Sequence, residues 1–278
     1  FVGGDLSHIA RSDNNRPALT TEASESAQVH SILRRPDGLG LAYVAFAGRA
    51  PAVVFLGGFR SDMTGTKALA LDAWARGRGQ AFLRFDYFAH GASDGDFEQA
   101  TVGRWREDAL AAIARLPADM PLVLVGSSMG GWIMLAIATA LRRRLAGMVG
   151  VAIAPDFTEE LIWPGLGEAE RAEMARSGQL LRESRYSDRP DVLTMKLIEE
   201  GRDHLVLRRP LEVDCPVHLI HGMADAEVPW QLSVRALEHM RTPQGQLTLV
   251  KDADHRLSTP TDIERLLRTV AALCDRPA

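Results

Sequence analysis

Residues 121–141 carry no charge over twenty-one positions, and the middle of the run reads Gly126-Ser127-Ser128-Met129-Gly130-Gly131. The length would suit a membrane span, but the glycine- and serine-rich break falls where a span needs continuous helix. Residues 122–125, all Leu or Val, read as a buried strand, and 132–141 as a buried helix closed by Arg142-Arg143-Arg144. Three cations at a helix C-terminus complement its dipole, which accounts for the triplet better than an RNA or lipid patch does. A strand and a helix that are both apolar all round must lie inside the protein. The rest of the chain therefore has to supply layers on either side of them.

It does so by alternation. Short apolar runs at 52–56, 81–85, 148–153 and 217–220 are bounded by Gly, Asp or Pro, as buried parallel strands are. Between them lie helical spacings, such as Thr101 ahead of Val102, Trp105, Ala109 and Ile113. Near the end, Thr261 and Glu264 read as a capping box for a helix with Leu266, Leu267, Val270 and Cys274 on one face. Alternating segments at 29–33 and 40–46, split by Pro36-Asp37-Gly38, read as an N-terminal hairpin. The expected class is α/β, a mostly parallel sheet flanked by helices. Its core would take residues 28–155 and 208–278. Residues 156–207, dense in Glu and Arg with helical spacing, read as an all-helical cap inserted over the C-terminal edge of the sheet, where ligands bind.

Composition narrows the function. Hydrophobic content of 46% with 24% charged residues excludes a disordered or fibrous chain. A net charge of −4 leaves no electrostatic footprint for nucleic acid. Cys215 and Cys274 stand far apart, which excludes a disulfide scaffold and a thiolate zinc site and suits a reducing compartment, so a cytoplasmic protein is expected. The polar leader 1–27 reads as neither a secretory signal nor a transit peptide. A neighbouring subunit of a homo-oligomer is its expected partner.

The Gly-x-Ser-x-Gly pattern centres on Ser128, between strand and helix. A serine at such a turn is thrust clear of the sheet, and the helix behind it points its positive end at the reacting centre. A hydroxyl is a weak nucleophile without a base to take its proton. In this architecture an acid and then a histidine follow the serine. Asp225, after the run 217–220, and His255, after the run 247–250, fall in that order. Asp254 is the alternative acid, although adjacent side chains rarely aim at each other. His221 reads as structural, and His90 as part of a turn that braces the site. The two oxyanion donors are expected from the backbone of Met129, next after the nucleophile, and from the Gly57-Gly58-Phe59 turn, with Phe59 preferred over Gly58. An apolar acyl pocket is expected from Met129, Trp132, Phe157, Leu161, Trp163 and Leu193.

These motifs together resemble the α/β-hydrolase superfamily. More narrowly, Gly65-Thr66-Lys67-Ala68-Leu69-Ala70, Arg84-Phe85-Asp86-Tyr87, Gly126–Trp132, His221-Gly222-Met223 with Val228-Pro229-Trp230, and Asp254-His255-Arg256 resemble the acyl-protein thioesterase and acyl-glucuronide esterase group, known from a mitochondrial depalmitoylating hydrolase. The likeness runs from about residue 40 to 275 and is weakest in the cap. It implies the same triad and oxyanion donors, a helical cap, and no metal or organic cofactor. Two departures limit it. Gly57-Gly58 replaces the His-Gly common before the oxyanion residue, and the divergent cap does not carry over acyl specificity.

The expected function is a serine hydrolase that cleaves carboxylic esters or thioesters, small-molecule substrates, through an acyl-enzyme. An acyltransferase or perhydrolase on the same fold is the rival within enzymology, and a non-catalytic small-molecule receptor the rival outside it. An adduct of a fluorophosphonate at Ser128 separates the enzymes from the receptor.

Overall fold

The computed structural model describes residues 30–182 and 191–276, so the leader 1–27 lies outside the described residues. The first strands are β1 (Ser31–Arg34), β2 (Gly40–Phe46), β3 (Arg49–Leu56), β4 (Gln80–Phe85), β5 (Leu122–Ser127) and β6 (Leu145–Val151). After them come β7 (Gln179–Arg182), β8 (Asp191–Thr194), β9 (Leu211–Glu212), β10 (Val217–Gly222), β11 (Met240–Arg241) and β12 (Gly245–Val250). Eight of these form one sheet in the order β1-β2-β4-β3-β5-β6-β10-β12. The β1–β2 hairpin and its pairing with β4 are antiparallel, and from β4 to β12 every pairing is parallel.

The two-residue pleat explains why the buried stretches of β3 and β5 are apolar on successive residues. In β3, Ala52, Val54 and Leu56 enter the core on one face of the sheet, while Val53 and Phe55 enter the core on the other. In β5, Leu122 and Leu124 oppose Val123 and Val125 in the same way. The helices α1 (Thr66–Arg78) and α8 (Pro260–Cys274) cover the second face. The first face lies under α2 (Val102–Ile113), α3 (Met129–Leu141) and α7 (Gln231–His239). Both sides of the sheet's centre, at β3 and β5, are therefore dry, as parallel strands require. No helix among the described residues is long and apolar enough to cross a membrane.

Three expectations are corrected. The capping box of α8 is Thr259 with Asp262, not Thr261 with Glu264. The helix starts at Pro260, whose missing N–H costs nothing at the first helical position. The arginine triplet forms a 3-10 turn rather than the last turn of α3, because Arg142 pairs with Asp214 and Arg144 donates to the Met120 and Pro117 carbonyls. The segment between β6 and β10 is not all-helical. It holds a π-helical turn (Thr158–Ile162), α4 (Trp163–Gly165), α5 (Glu168–Ser177) and α6 (Met195–Gly201), but also the antiparallel pair β7–β8. Four-residue strands are too short to show a two-residue period, and Leu180 and Leu193 face a small core of Leu166, Met174 and Ile198.

One carboxylate ties this segment shut. Asp156 sits at φ 55° and is wholly buried, and it accepts the N–H groups of Val206 at 2.8 Å and Leu207 at 2.9 Å. Burial raises the Asp156 carboxyl above its usual range, and the two backbone donors oppose that rise. The start of the segment and its end are thus pinned together at one point. A bidentate contact from Arg235 of α7 to Glu160, at 2.5 and 3.1 Å, fixes the outer part to the core.

Candidate active site

The turn from β5 to α3 is built by close approach. Ser128 has φ 53° and ψ −119°, outside the conformations L-residues prefer. A Cβ on Gly126 would lie 2.6 Å from the Gly130 carbonyl oxygen, and one on Gly130 would lie 2.1 Å from that of Leu56. Only glycine fits at either place. The strained turn is held from three sides. The Ser128 N–H donates to Val151 O at 3.0 Å, and its carbonyl accepts from Gly131 N–H at 2.9 Å and Ala154 N–H at 3.1 Å.

Oγ of Ser128 lies 3.0 Å from Nε2 of His255. Nδ1 of His255 lies 2.7 Å from Oδ2 of Asp225. The loops after β10 and β12 deliver the acid and the imidazole to the end of β5, because the three strands are neighbours or near neighbours in one parallel sheet. The Asp225 side chain is fully buried, and its other oxygen accepts the N–H groups of Glu227 and Val228, both at 2.8 Å. Burial alone would raise this carboxyl, but hydrogen bonds from His221, His255 and Val228 outweigh it and hold Asp225 well below the usual carboxylate range. Asp254 turns away, with Oδ1 accepting the N–H groups of Arg256 at 3.0 Å and Leu257 at 3.2 Å.

The loop after β3 lies against the serine: a Cβ on Gly58 would stand 3.4 Å from Ser128 Cβ. The Gly58 N–H is occupied, donating to Ser61 Oγ at 3.1 Å. Phe59 and Met129 have no such backbone acceptor among the described residues, which leaves both N–H groups available to a ligand. His90 fixes the loop from behind. Nδ1 of His90 donates to Phe88 O at 3.0 Å, so Nε2 is free to accept the Arg60 N–H at 3.1 Å, where Arg60 adopts φ 55°. Burial pushes the His90 imidazole down to about 4, so it stays neutral and keeps that acceptor.

A cavity of about 680 Å³ opens onto Ser128 and His255. Phe55, Phe59, Ile162 and Leu193 give it apolar walls, and Leu193 and Phe59 are residues the sequence nominated. Met129, Trp132, Phe157, Leu161 and Trp163 do not line it. Trp132 is completely buried and donates its indole N–H to His204 O at 3.0 Å. Its ring meets Phe157 edge-on at 5.4 Å, and Phe157 meets Phe59 at 5.5 Å. These aromatics support the Phe59 loop from within the core instead of meeting a ligand. Leu161 packs on the main core, and Trp163 on the small core under β7–β8, with the Arg171 guanidinium 5.1 Å from its ring.

Polar residues that sequence reasoning missed make up much of the cavity wall: Arg60, Asp62, Lys67, Arg182, Glu227 and Arg256. The expected apolar pocket is therefore corrected to a mixed one. Lys67, half-buried at the start of α1, donates to Arg256 O at 2.5 Å, tying α1 to the loop that carries His255. Burial pushes its ammonium down to about 8. In sequence Lys67 stood out only as part of the Gly65–Ala70 string and as one of three lysines, with Lys196 and Lys251, against a background of arginines.

A serine hydroxyl, an imidazole and a buried carboxylate in hydrogen-bonded sequence at the C-terminal edge of a parallel sheet define the hydrolases of the α/β type. Residues 53–273 match the alpha/beta hydrolase family. The chain belongs to that family. It is 38% identical over 277 residues to the palmitoyl-protein thioesterase ABHD10, mitochondrial, of Bos taurus, covering 99% of this chain and 90% of that protein. Among solved structures, a protein of Agrobacterium vitis S4 superposes with a TM-score of 0.84 at 42% identity, covering 89% of this chain and 99% of that one. The alpha/beta hydrolase domain-containing protein 10 from mouse superposes with a TM-score of 0.81 at 35% identity, covering 89% and 98%. The bovine relative overturns the cytoplasmic expectation, since it is mitochondrial by name. Two unpaired cysteines report on redox conditions and carry no address.

Proposed function

We propose that the protein is a serine hydrolase that cleaves a carboxylic ester or thioester through an acyl-enzyme on Ser128. The observation that carries this reading is the continuous chain from Ser128 Oγ to His255 Nε2, and from His255 Nδ1 to Asp225 Oδ2, at 3.0 and 2.7 Å. His255 takes the Ser128 proton as Oγ attacks the acyl carbon, and Asp225 holds the imidazole and stabilises its charge. The oxyanion that forms accepts hydrogen bonds from the Phe59 and Met129 N–H groups. His255 then gives its proton to the leaving oxygen or sulfur as the carbon–heteroatom bond breaks. Water repeats the sequence on the acyl-enzyme and releases the acid.

The relatives' name, palmitoyl-protein thioesterase, supports a long-chain acyl thioester as the substrate. The acyl part would lie against Phe55, Phe59, Ile162 and Leu193, with the leaving group towards the polar wall. Turnover of paired acyl esters and acyl thioesters of increasing chain length tests this. A rise in kcat/KM with chain length supports the assignment. Transfer of the acyl group to an added alcohol in preference to water would reassign the protein as an acyltransferase.

A further inference from the structure

The Asp225 carboxylate has room for about four hydrogen bonds, two per oxygen, and all are taken. Oδ1 holds the Glu227 and Val228 N–H groups. Oδ2 holds His255 Nδ1 at 2.7 Å and, on its other side, Nε2 of His221 at 3.1 Å. His221 is wholly buried and touches nothing in the cavity. Its Nε2 also faces Val228 O at 3.0 Å, so Nε2 meets only acceptors and must carry the hydrogen. Nδ1, left with its lone pair, lies 2.7 Å from the Ser233 Oγ of α7, whose hydroxyl donates to it. Ser233 is itself wholly buried.

From this geometry we infer that His221, its tautomer fixed by Ser233, is a positioning residue that sets how strongly Asp225 acts on the base His255. The inference rests on the serine-hydrolase reading above. Two N–H groups compete for the charge of one carboxylate oxygen, and each weakens the pull of that oxygen on the other. Removing the His221 donor concentrates the charge on His255, favours its protonated form and strengthens it as a base. The other ionisable groups around His255 stay in place. They are Glu227, whose carboxylate lies 3.9 Å from Nε2, its chain neighbours Asp254 and Arg256, Lys67 from α1, and Arg60, Asp62 and Arg182 across the cavity. A His221 that only fills space would change thermal stability and leave the acid limb of kcat/KM where it was.

The test is the pH profile of kcat/KM on a short p-nitrophenyl ester for the full chain, with Ser128→Ala as the control that ties turnover to the site. His221→Leu is expected to move the acid limb to higher pH, so that kcat/KM falls on the acidic side of the wild-type limb and returns towards wild type on the plateau. In His221→Gln an amide N–H replaces Nε2–H, and the limb returns towards wild type. Ser233→Ala, which weakens the donor without removing it, shifts the limb the same way by less, and decides the matter if His221→Leu does not fold. Limbs that stay in place in the folded variants, or a His221→Gln that behaves like His221→Leu, would overturn the role of His221. Wild type without turnover would instead remove the hydrolase reading on which it stands.

Discussion

Asp225 and His255 stand thirty residues apart in the chain and meet at 2.7 Å, through the single oxygen Oδ2. Asp254, adjacent to the histidine, spends its carboxylate on the turn that carries His255. Asp225→Asn is therefore expected to lower kcat by about 10⁴-fold, because the amide presents the wrong partner to Nδ1. Asp254→Asn keeps an acceptor for that turn and should stay close to wild type. Steady-state kinetics of the two variants side by side checks the assignment, and equal losses would contradict it.

His90 makes a second prediction, about stability. Its folded value lies near 4 against 6.5 for a free imidazole, so between those values the unfolded chain binds more protons. Stability contributed by His90 is complete above about 6.5, falls as pH drops through the window, and levels off below about 4. The full change is about 3 kcal/mol at most. Asp108, raised by burial to about 6, pulls the opposite way over part of the range. The difference between wild type and His90→Gln in urea titrations across this pH window isolates the histidine, and a difference that does not vary with pH would contradict its buried, neutral state.

Glycine substitutions should split by position. Gly130→Ala drives a Cβ to within 2.1 Å of a carbonyl oxygen and should cost about 3 kcal/mol or more. Gly77, inside α1, has nothing within 4 Å of a Cβ, so Gly77→Ala should stabilise by about 0.5–1 kcal/mol. Thermal melts of the two variants check both signs.

The parallel sheet was legible because its signal is local: the buried stretches 52–56 of β3 and 122–125 of β5 are apolar at every position, and Gly126 and Gly130 punctuate the turn between β5 and α3. The residues Ser128, Asp225 and His255 could be nominated from their order along the chain, since each follows a strand of that sheet. The cavity wall was not legible in this way. Trp132 looks like a pocket aromatic in sequence but is placed by its hydrogen bond to His204, and Arg182 enters the wall through the β7–β8 pairing. Contacts of this kind depend on segments that are remote in sequence and too short to show a period. His221 illustrates the same limit. Its burial was readable, whereas its share of the Asp225 carboxylate needed the structure.

The most direct test of Ser128 as the nucleophile is the intact mass of the protein after exposure to a fluorophosphonate, for wild type and Ser128→Ala in parallel. With Ser128 as nucleophile, wild type takes one adduct and Ser128→Ala none, and ester turnover in the same variant falls by about 10⁶-fold. An adduct that persists in Ser128→Ala, or a folded wild type that takes none, would contradict it.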